Sequence, residues 1–186
     1  MAECRRLHCE STVGKKGADG EEEKTGSNPT DRGKSGTKRN LLTDAKGIPL
    51  SIALSGANRH DSKMLSAMLE GIVVAVPILG AEEERHLVLD RGYDTASCRK
   101  VAEQHALTAH IPKKATEATP LPPPGDPERH PPRRWVVEVS HSWFNRFRRL
   151  LIRWEKKASH HMGFVQLVAC LIIWRKIAPL APRLSG

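Results

Sequence analysis

Two carboxylates in this chain have the right surroundings for metal chemistry. Asp90 directly follows the apolar run at residues 86–89, and Glu138 lies in a stretch otherwise rich in arginine, lysine and large apolar side chains. Mg²⁺ prefers carboxylate oxygens, and acids from different elements can share one site without a compact motif. Asp90 and Glu138 are therefore candidate ligands of Mg²⁺ or Mn²⁺. Two such ions would activate a water or a 3′-hydroxyl for attack on a phosphodiester.

A basic stripe would border Glu138 if residues 138–157 form one helix. The stripe consists of Arg146, Arg149, Arg153 and Lys156, and an apolar face runs beside it. Two interpretations follow from the spacing. Either Glu138 is a helix-start residue beside a solvated basic face, or it binds metal while the arginines contact the phosphates of a nucleic-acid strand.

The composition favours a polyanionic partner. The 186 residues include 30 Lys and Arg against 21 Asp and Glu, which gives a formal charge of +9. Nucleic acid is the first expected partner, and an anionic membrane surface is the second. The chain has no apolar run of the roughly 20 residues that span a membrane, and no signal-peptide core. Its four cysteines lack a Cys-x-x-Cys pair, so we expect a cytoplasmic protein with reduced thiols.

The apolar pattern predicts the elements that position these residues. Strands are expected at residues 40–43, 49–54, 86–89 and 109–111, and helices after Asp61 and at residues 97–104, 135–154 and 163–177. Asp44 is expected in a turn between the first two strands, and Asp61 as a helix cap. This order predicts an α/β fold with a helical C-terminal side. Residues 1–36 are interpreted as a flexible segment, and residues 112–132 as a proline-rich insertion.

Three weaker motifs do not support other functions. Gly33-Lys34-Ser35 resembles the end of a P-loop, but the glycine required five positions earlier is Asn28 and no apolar strand precedes it. His160-His161 is expected to be an exposed polar pair rather than a metal site. Cysteine and histidine at positions 4, 8 and 9 have the wrong spacing for zinc.

Four segments, in this order, resemble the DDE transposases of bacterial insertion sequences, specifically the insertion-sequence-five family. They are TGSNPTDRGKSGTKRNLLTDAKGIPL, GANRHDS, LVLDRGYDT and RRWVVEVSHSWFNRFRRLLIRWEKK. The resemblance implies an RNase H-like mixed sheet with flanking helices over residues 37–178. It also implies that three acids bind two Mg²⁺ ions and catalyse DNA cleavage and strand transfer at the ends of the element.

The resemblance implies roles for individual residues. Asp90 matches the second acid of the family and Glu138 the third. Arg134 occupies the arginine of the Arg-x-x-x-Glu signature, where it would contact DNA near the site. Phosphate contact is the role expected for the basic residues that follow. These are Arg146, Arg148, Arg149, Arg153 and Lys156.

The chain departs from the family pattern at the first acid. Relatives place an aspartate before a Ser-Thr-Val-like segment, whereas Ser11-Thr12-Val13 here follows Cys9-Glu10. Either Glu10 substitutes for the aspartate, or the first acid is absent. From the resemblance we also expect this chain to lack the helical region by which relatives recognise terminal repeats. Val139 stands where relatives usually have an arginine.

Three functional readings therefore stay open. The first is a DDE transposase, truncated at its N-terminus, that forms a homo-oligomer. The second is a catalytically dead DNA-binding remnant that assembles with an intact transposase, and the third is an unstable fragment without activity.

Overall fold

The computed structural model describes residues 6–15, 24–29, 32–74, 84–112 and 134–178, with the backbone alone for 6–15 and Arg134. The strands in these ranges are β1 (Arg6–Lys15), β2 (Gly26–Ser27), β3 (Ser35–Thr43), β4 (Pro49–Gly56), β5 (His86–Leu89) and β6 (Thr108–His110). The α-helices are α1 (Leu65–Glu70), α2 (Ala96–Gln104), α3 (Arg134–Asn145) and α4 (Ala158–Ile177). The expected proline-rich insertion, apart from Pro112, lies outside the described residues.

The strands form one mixed sheet in the spatial order β4, β3, β1, β5, β6, and β2 pairs with the start of β3. The pairs of β3 with β1 and with β4 are antiparallel, whereas β1, β5 and β6 run parallel to one another. Strands β4, β3 and β1 form an antiparallel unit. Strands β5 and β6 extend it beyond β1 and run parallel to β1, which is the RNase H-like arrangement. The predicted fold class, an RNase H-like mixed sheet with flanking helices, is confirmed.

The central strand β1 was missed by the sequence analysis, which assigned it to a flexible segment. Its sequence, RLHCESTVGK, contains little of the apolar alternation that marks a strand. Its hydrogen-bonding partners lie far along the chain, since His8 pairs with Thr43 of β3 and Arg6 pairs with His86 of β5. Pairing on both edges therefore gives this segment a strand conformation that its local sequence does not predict.

Two apolar cores lie on opposite faces of the sheet. Adjacent residues of β3 belong to different cores, because successive side chains of a strand point to opposite faces. Leu42 packs with α1 and α2, and Leu41 packs with α3 and α4. The first core also contains Leu65, Met68, Leu69, Leu87, Leu89, Tyr93, Cys98 and Ala102. The second also contains Val137, Phe144, Leu150, Val165, Val168, Ala169 and Ile172.

The turn between β3 and β4 has the chemistry predicted for it. Asp44 Oδ1 accepts hydrogen bonds of 2.8 Å from the backbone N–H groups of Lys46 and Ile48. Gly47 has φ +81°, and a Cβ added there would lie 2.8 Å from the Ser140 hydroxyl oxygen. Glycine is therefore required both for the backbone conformation and for close contact between this turn and α3.

The expected cap at Asp61 was wrong in detail. A 3₁₀ turn at Asp61–Met64 precedes α1, and the His60 side chain, rather than Asp61, accepts a hydrogen bond from Ser62 N. Asp61 instead forms a 2.8 Å ion pair with Lys38 Nζ. The carboxylate therefore ties this turn to β3.

The C-terminal side is helical as predicted, but its boundaries differ. The helix expected at residues 135–154 ends at Asn145, because the backbone turns extended at Phe147 and a 3₁₀ turn follows at Arg148–Leu150. The last helix, α4, begins at Ala158 rather than at residue 163. Among the helices of the described ranges, none is both long and apolar enough to cross a membrane.

Candidate active site and nucleic-acid interface

Asp90 lies at the C-terminal end of β5. Leu89 before it is buried in the first core, while the Asp90 side chain is partly exposed. Its Oδ1 accepts a 2.6 Å hydrogen bond from Arg91 N and caps the 3₁₀ turn Arg91–Tyr93. Tyr93 is 2% exposed and fixes that turn against the core. The carboxylate is thus held at the end of a central strand, as the sequence predicts.

Glu10 lies on the strand next to Asp90, at the matching position. Cys9 of β1 is in register with Leu89 of β5, and each acid follows by one residue. Glu10 also pairs with Leu41 across β1 and β3. Because directly paired residues share a face of the sheet, position 10 belongs to the face covered by α3 and α4.

Glu138 lies on α3, which packs on that same face. The preceding Val137 is buried in the second core, whereas Glu138 is exposed. Ser140 is fully buried, and its hydroxyl oxygen lies 2.6 Å from the Gly47 carbonyl oxygen. This contact fixes the first half of α3 at the β3–β4 turn.

The end of α3 is fixed to β3 by a buried arginine that the sequence analysis did not single out. Arg39 Nη2 donates a 3.1 Å hydrogen bond to Asn145 Oδ1, and its guanidinium carbon lies 4.8 Å from the centroid of the Phe144 ring. Burial lowers the pKa of Arg39 to about 10. An arginine flanked by polar residues in a strand gives no sequence signal of burial, so only its long-range contacts reveal this role.

Glu10 lies on a strand that contacts α3, the helix of Glu138, and Asp90 follows the neighbouring strand β5. Among the side chains that the structure describes, no three His, Cys, Asp or Glu residues are grouped closely enough to hold a metal ion. The side chain of Glu10 lies outside that set. The roles of Glu10, Asp90 and Glu138 thus stay predictions.

Arg153 does not lie on an exposed basic stripe, which corrects the sequence-based assignment. Its side chain is 4% exposed and donates hydrogen bonds to Thr37 Oγ1 at 2.8 Å, Glu155 O at 2.9 Å and Lys156 O at 2.8 Å. The stripe required one continuous helix, and α3 ends well before Arg153. This arginine instead fixes the loop before α4 to β3.

Arg149 is held by interactions within the chain. It forms an ion pair with Glu155, and its guanidinium carbon lies 5.0 Å from the centroid of the Phe164 ring. Glu155 Oε2 also lies 3.2 Å from Nδ1 of His161, which is buried rather than exposed as expected. Glu155 is one of only two acids in the basic stretch at residues 133–157. Its position among arginines and lysines was the sequence signal for its contacts with Arg149 and His161.

The network shifts two ionisation equilibria. Burial lowers the pKa of His161 below its ordinary value of 6.5, although Glu155 partly opposes this shift. Burial would raise the pKa of Glu155, but hydrogen bonds from its own backbone and from His161, together with the charge of Arg149, lower it overall. The neutral imidazole and the ionised carboxylate are therefore the favoured forms at neutral pH.

Three other predicted DNA-binding residues lie outside the cores. Arg146, Arg148 and Lys156 are exposed, and Arg134 is the first residue of α3. Two further cations, Arg175 and Lys176, lie in the last turn of α4 and were not predicted from the sequence as binding residues. A pair of adjacent cations at the end of an apolar helix was the signal that could have identified them.

The chain is similar in sequence to known transposases. The family model described as "Transposase DDE domain" matches residues 8–173. The chain is 37% identical over 156 residues to a putative transposase for insertion sequence element IS402 of Burkholderia cepacia, a match that covers 83% of this chain and 70% of that protein. It is 30% identical over 139 residues to a putative transposase for insertion sequence element IS6501 of Brucella ovis, which covers 74% and 97% respectively.

A solved structure was also compared with the fold. The catalytic core domain of BIV integrase aligns with a TM-score of 0.40 at 12% sequence identity, over 91% of this chain and 80% of that one. The strand order defines the protein as RNase H-like, and the family match is more specific. The chain belongs to the DDE transposase family. Members of this family generally use divalent metal, and transposition implies DNA as the partner.

Proposed function

We propose that this chain is a transposase of an insertion sequence of the insertion-sequence-five type, which cleaves DNA at the ends of the element and transfers the strands. In this proposal Asp90, Glu138 and Glu10 are its three acids, with Glu10 in the place of the usual aspartate. The register of β1 and β5 is the observation that carries it, because Glu10 and Asp90 follow paired residues of neighbouring strands.

The donor set fits Mg²⁺ or Mn²⁺, since all three proposed ligands are carboxylates. Neighbouring strands lie about 4.8 Å apart, so acids at matching positions repel each other unless a cation neutralises them. Bound divalent ions would activate the attacking oxygen and stabilise the leaving one. The chain itself contributes the rigid placement of Asp90, whose carboxylate is oriented by Arg91 N.

Phosphate contacts are proposed for Arg134, Arg146, Arg148 and Lys156. The exposure of the last three supports the proposal, and so does the chain's formal charge of +9. Arg149 is assigned first to the ion pair with Glu155. DNA as the partner also implies a cytoplasmic, nucleoid-associated protein.

A nicking assay on supercoiled DNA that carries the element's ends tests the activity. We expect cleavage that requires Mg²⁺ or Mn²⁺ and is lost in Asp90→Asn, Glu138→Gln and Glu10→Gln. The matched control is Glu103→Gln, which neutralises an exposed acid of α2 on the opposite face of the sheet. Cleavage that survives in Asp90→Asn would show that another site, or a contaminating nuclease, is responsible.

An inactive DNA-binding remnant is the second candidate, and the glutamate at position 10 is the observation that favours it. A glutamate is one methylene longer than the usual aspartate, so it would have to reach the metal in a different conformation. This alternative predicts salt-sensitive duplex binding without metal-dependent nicking. Restoration of nicking by Glu10→Asp would identify the longer side chain as the cause of inactivity.

Self-association with a second copy of this chain is also proposed, through α4. Five large apolar side chains on this helix are 40–70% exposed and recur every three or four residues. They are Phe164, Leu167, Leu171, Trp174 and Ile177. A stripe along a helix complements itself when two copies pack about a two-fold axis. Sedimentation should detect a dimer that Leu167→Glu dissociates, and a monomeric parent at high concentration would contradict the proposal.

A further inference from the structure

A cavity of about 500 Å³ lies between the end of α3 and the end of α4. Its wall contains three cations, two aromatic residues and one isoleucine. They are Arg146, Arg175, Lys176, Trp143, Phe147 and Ile172. The cavity is open to solvent, and its volume falls in the range of sites that hold small molecules or single residues of a polymer. This combination suits a ligand with both an anionic and a planar part.

The three cations of this cavity are not neutralised by any acidic residue that the structure describes. Across the described part of the chain, no carboxylate forms an ion pair with Arg146, Arg175 or Lys176. Among the described residues, no acidic side chain lines the cavity either. Like charges that converge on one space repel each other, so an anion placed among them would relieve that repulsion. The electrostatics therefore point to a phosphate.

The aromatic residues contact two of the cations but do not replace an anion. Lys176 Nζ lies 4.0 Å from the centroid of the Trp143 ring, and Arg175 lies 5.9 Å from that of Phe147. These cation–π contacts hold the end of α4 against α3, yet an aromatic ring carries no net charge. Trp143 and Phe147 are only partly buried, so they remain available to a planar ligand.

We propose that this cavity binds one unpaired nucleotide of a DNA strand. The phosphate contacts Arg146, Arg175 and Lys176, and the base packs against Trp143 and Phe147. Stacking on aromatic rings beside cations is how proteins bind single strands without reading their sequence. The inference rests on the proposed DNA partner, and it adds a preference for DNA in which one base is not paired.

Fluorescence anisotropy with two labelled duplexes of about 30 base pairs at about 0.15 M salt tests this preference. One duplex is fully paired, and the other carries a single unpaired adenine. We expect the parent protein to bind the second duplex about 10-fold more tightly. Trp143→Leu should reduce this ratio to about 2-fold or less, whereas Trp143→Phe should retain most of it.

Three further variants distinguish an effect on the cavity from loss of the fold. Arg146→Gln alters an exposed side chain and should also reduce the preference for the unpaired base. The controls are Trp154→Leu, at a tryptophan that is 70% exposed and does not line the cavity, and Lys100→Gln, at an exposed lysine of α2. Both controls should retain the ratio of the parent.

The outcomes separate this inference from the proposed function. Equal binding of both duplexes by the parent would overturn the nucleotide pocket and leave DNA binding intact. An unchanged ratio in Trp143→Leu and Arg146→Gln would likewise overturn it. Saturable binding of free dAMP, without any preference for the unpaired duplex, would assign the cavity to a free nucleotide instead. Failure to bind either duplex would count against the proposed function itself.

Discussion

Replacement of Arg153 by methionine should destabilise the fold strongly. Arg153 is 4% exposed, and its guanidinium joins Thr37 of β3 to the carbonyl groups of Glu155 and Lys156. A hydrogen bond that involves a charged group contributes about 1.5–3 kcal/mol. Methionine retains part of the packing and some carbonyls regain water, so we expect a net loss of about 3 kcal/mol in the free energy of unfolding. With a urea m-value of about 2 kcal/mol per molar, the midpoint should fall by about 1.5 M.

Urea unfolding followed by circular dichroism measures this loss directly. The matched control is Arg148→Met, at an exposed arginine outside both cores, and its effect should stay within about 0.5 kcal/mol. The reasoning would be refuted if Arg153→Met unfolded at the parent's urea concentration and yet bound DNA more weakly. That result would place Arg153 on the exposed phosphate-binding face that the sequence pattern suggested.

Three further predictions concern glycine, pH and DNA. Gly47→Ala should lower the free energy of unfolding by about 1–3 kcal/mol because of the positive φ at Gly47 and its contact with α3. Gly163→Ala should raise it by up to about 1 kcal/mol, because a Cβ at this position of α4 would meet no other atom. Thermal unfolding measures both changes. Stability should fall as the pH drops below about 6.5, because the lowered pKa of His161 lets the unfolded chain bind the proton first, and the lowered pKa of Glu155 should extend the loss below about 4.5. A His161→Gln variant that retained the full decline between pH 7 and 5 would contradict this assignment. Arg148→Gln should weaken binding to all duplexes and reduce the salt slope by about 1, and an unchanged slope would remove this residue from the interface.

The elements that local signals define were predicted well. The β3–β4 hairpin was recognised because Asp44 and Gly47 have turn chemistry between two apolar runs. The strand before Asp90 was recognised from its buried apolar residues and abrupt polar end. Helix α2 begins at Ala96, directly after the Thr95 cap and one residue before the predicted start. In these places the interactions that form the element come from neighbouring residues.

The errors arose where distant contacts override the local pattern. The polar strand β1 is stabilised by pairing with β3 and β5, and nothing in its own composition indicates a position at the centre of a sheet. Helical periodicity continued past Asn145, but hydrogen bonds from Arg153 to Thr37 hold the chain in a loop there. Buried polar residues such as His161 cannot be recognised from the pattern of apolar residues either, because their burial depends on polar partners elsewhere in the chain.

Calorimetric titration of Mn²⁺ into the parent chain and into Glu10→Gln, Asp90→Asn and Glu138→Gln tests the central claim most directly. A shared site of three acids predicts saturable binding by the parent and a loss of at least about 10-fold in affinity in each variant, because every ligand is a carboxylate. Glu103→Gln should bind like the parent. Parent-like binding by Glu10→Gln would contradict the account, since the position of Glu10 beside Asp90, one residue after the paired Cys9 and Leu89, would then have no part in the metal site.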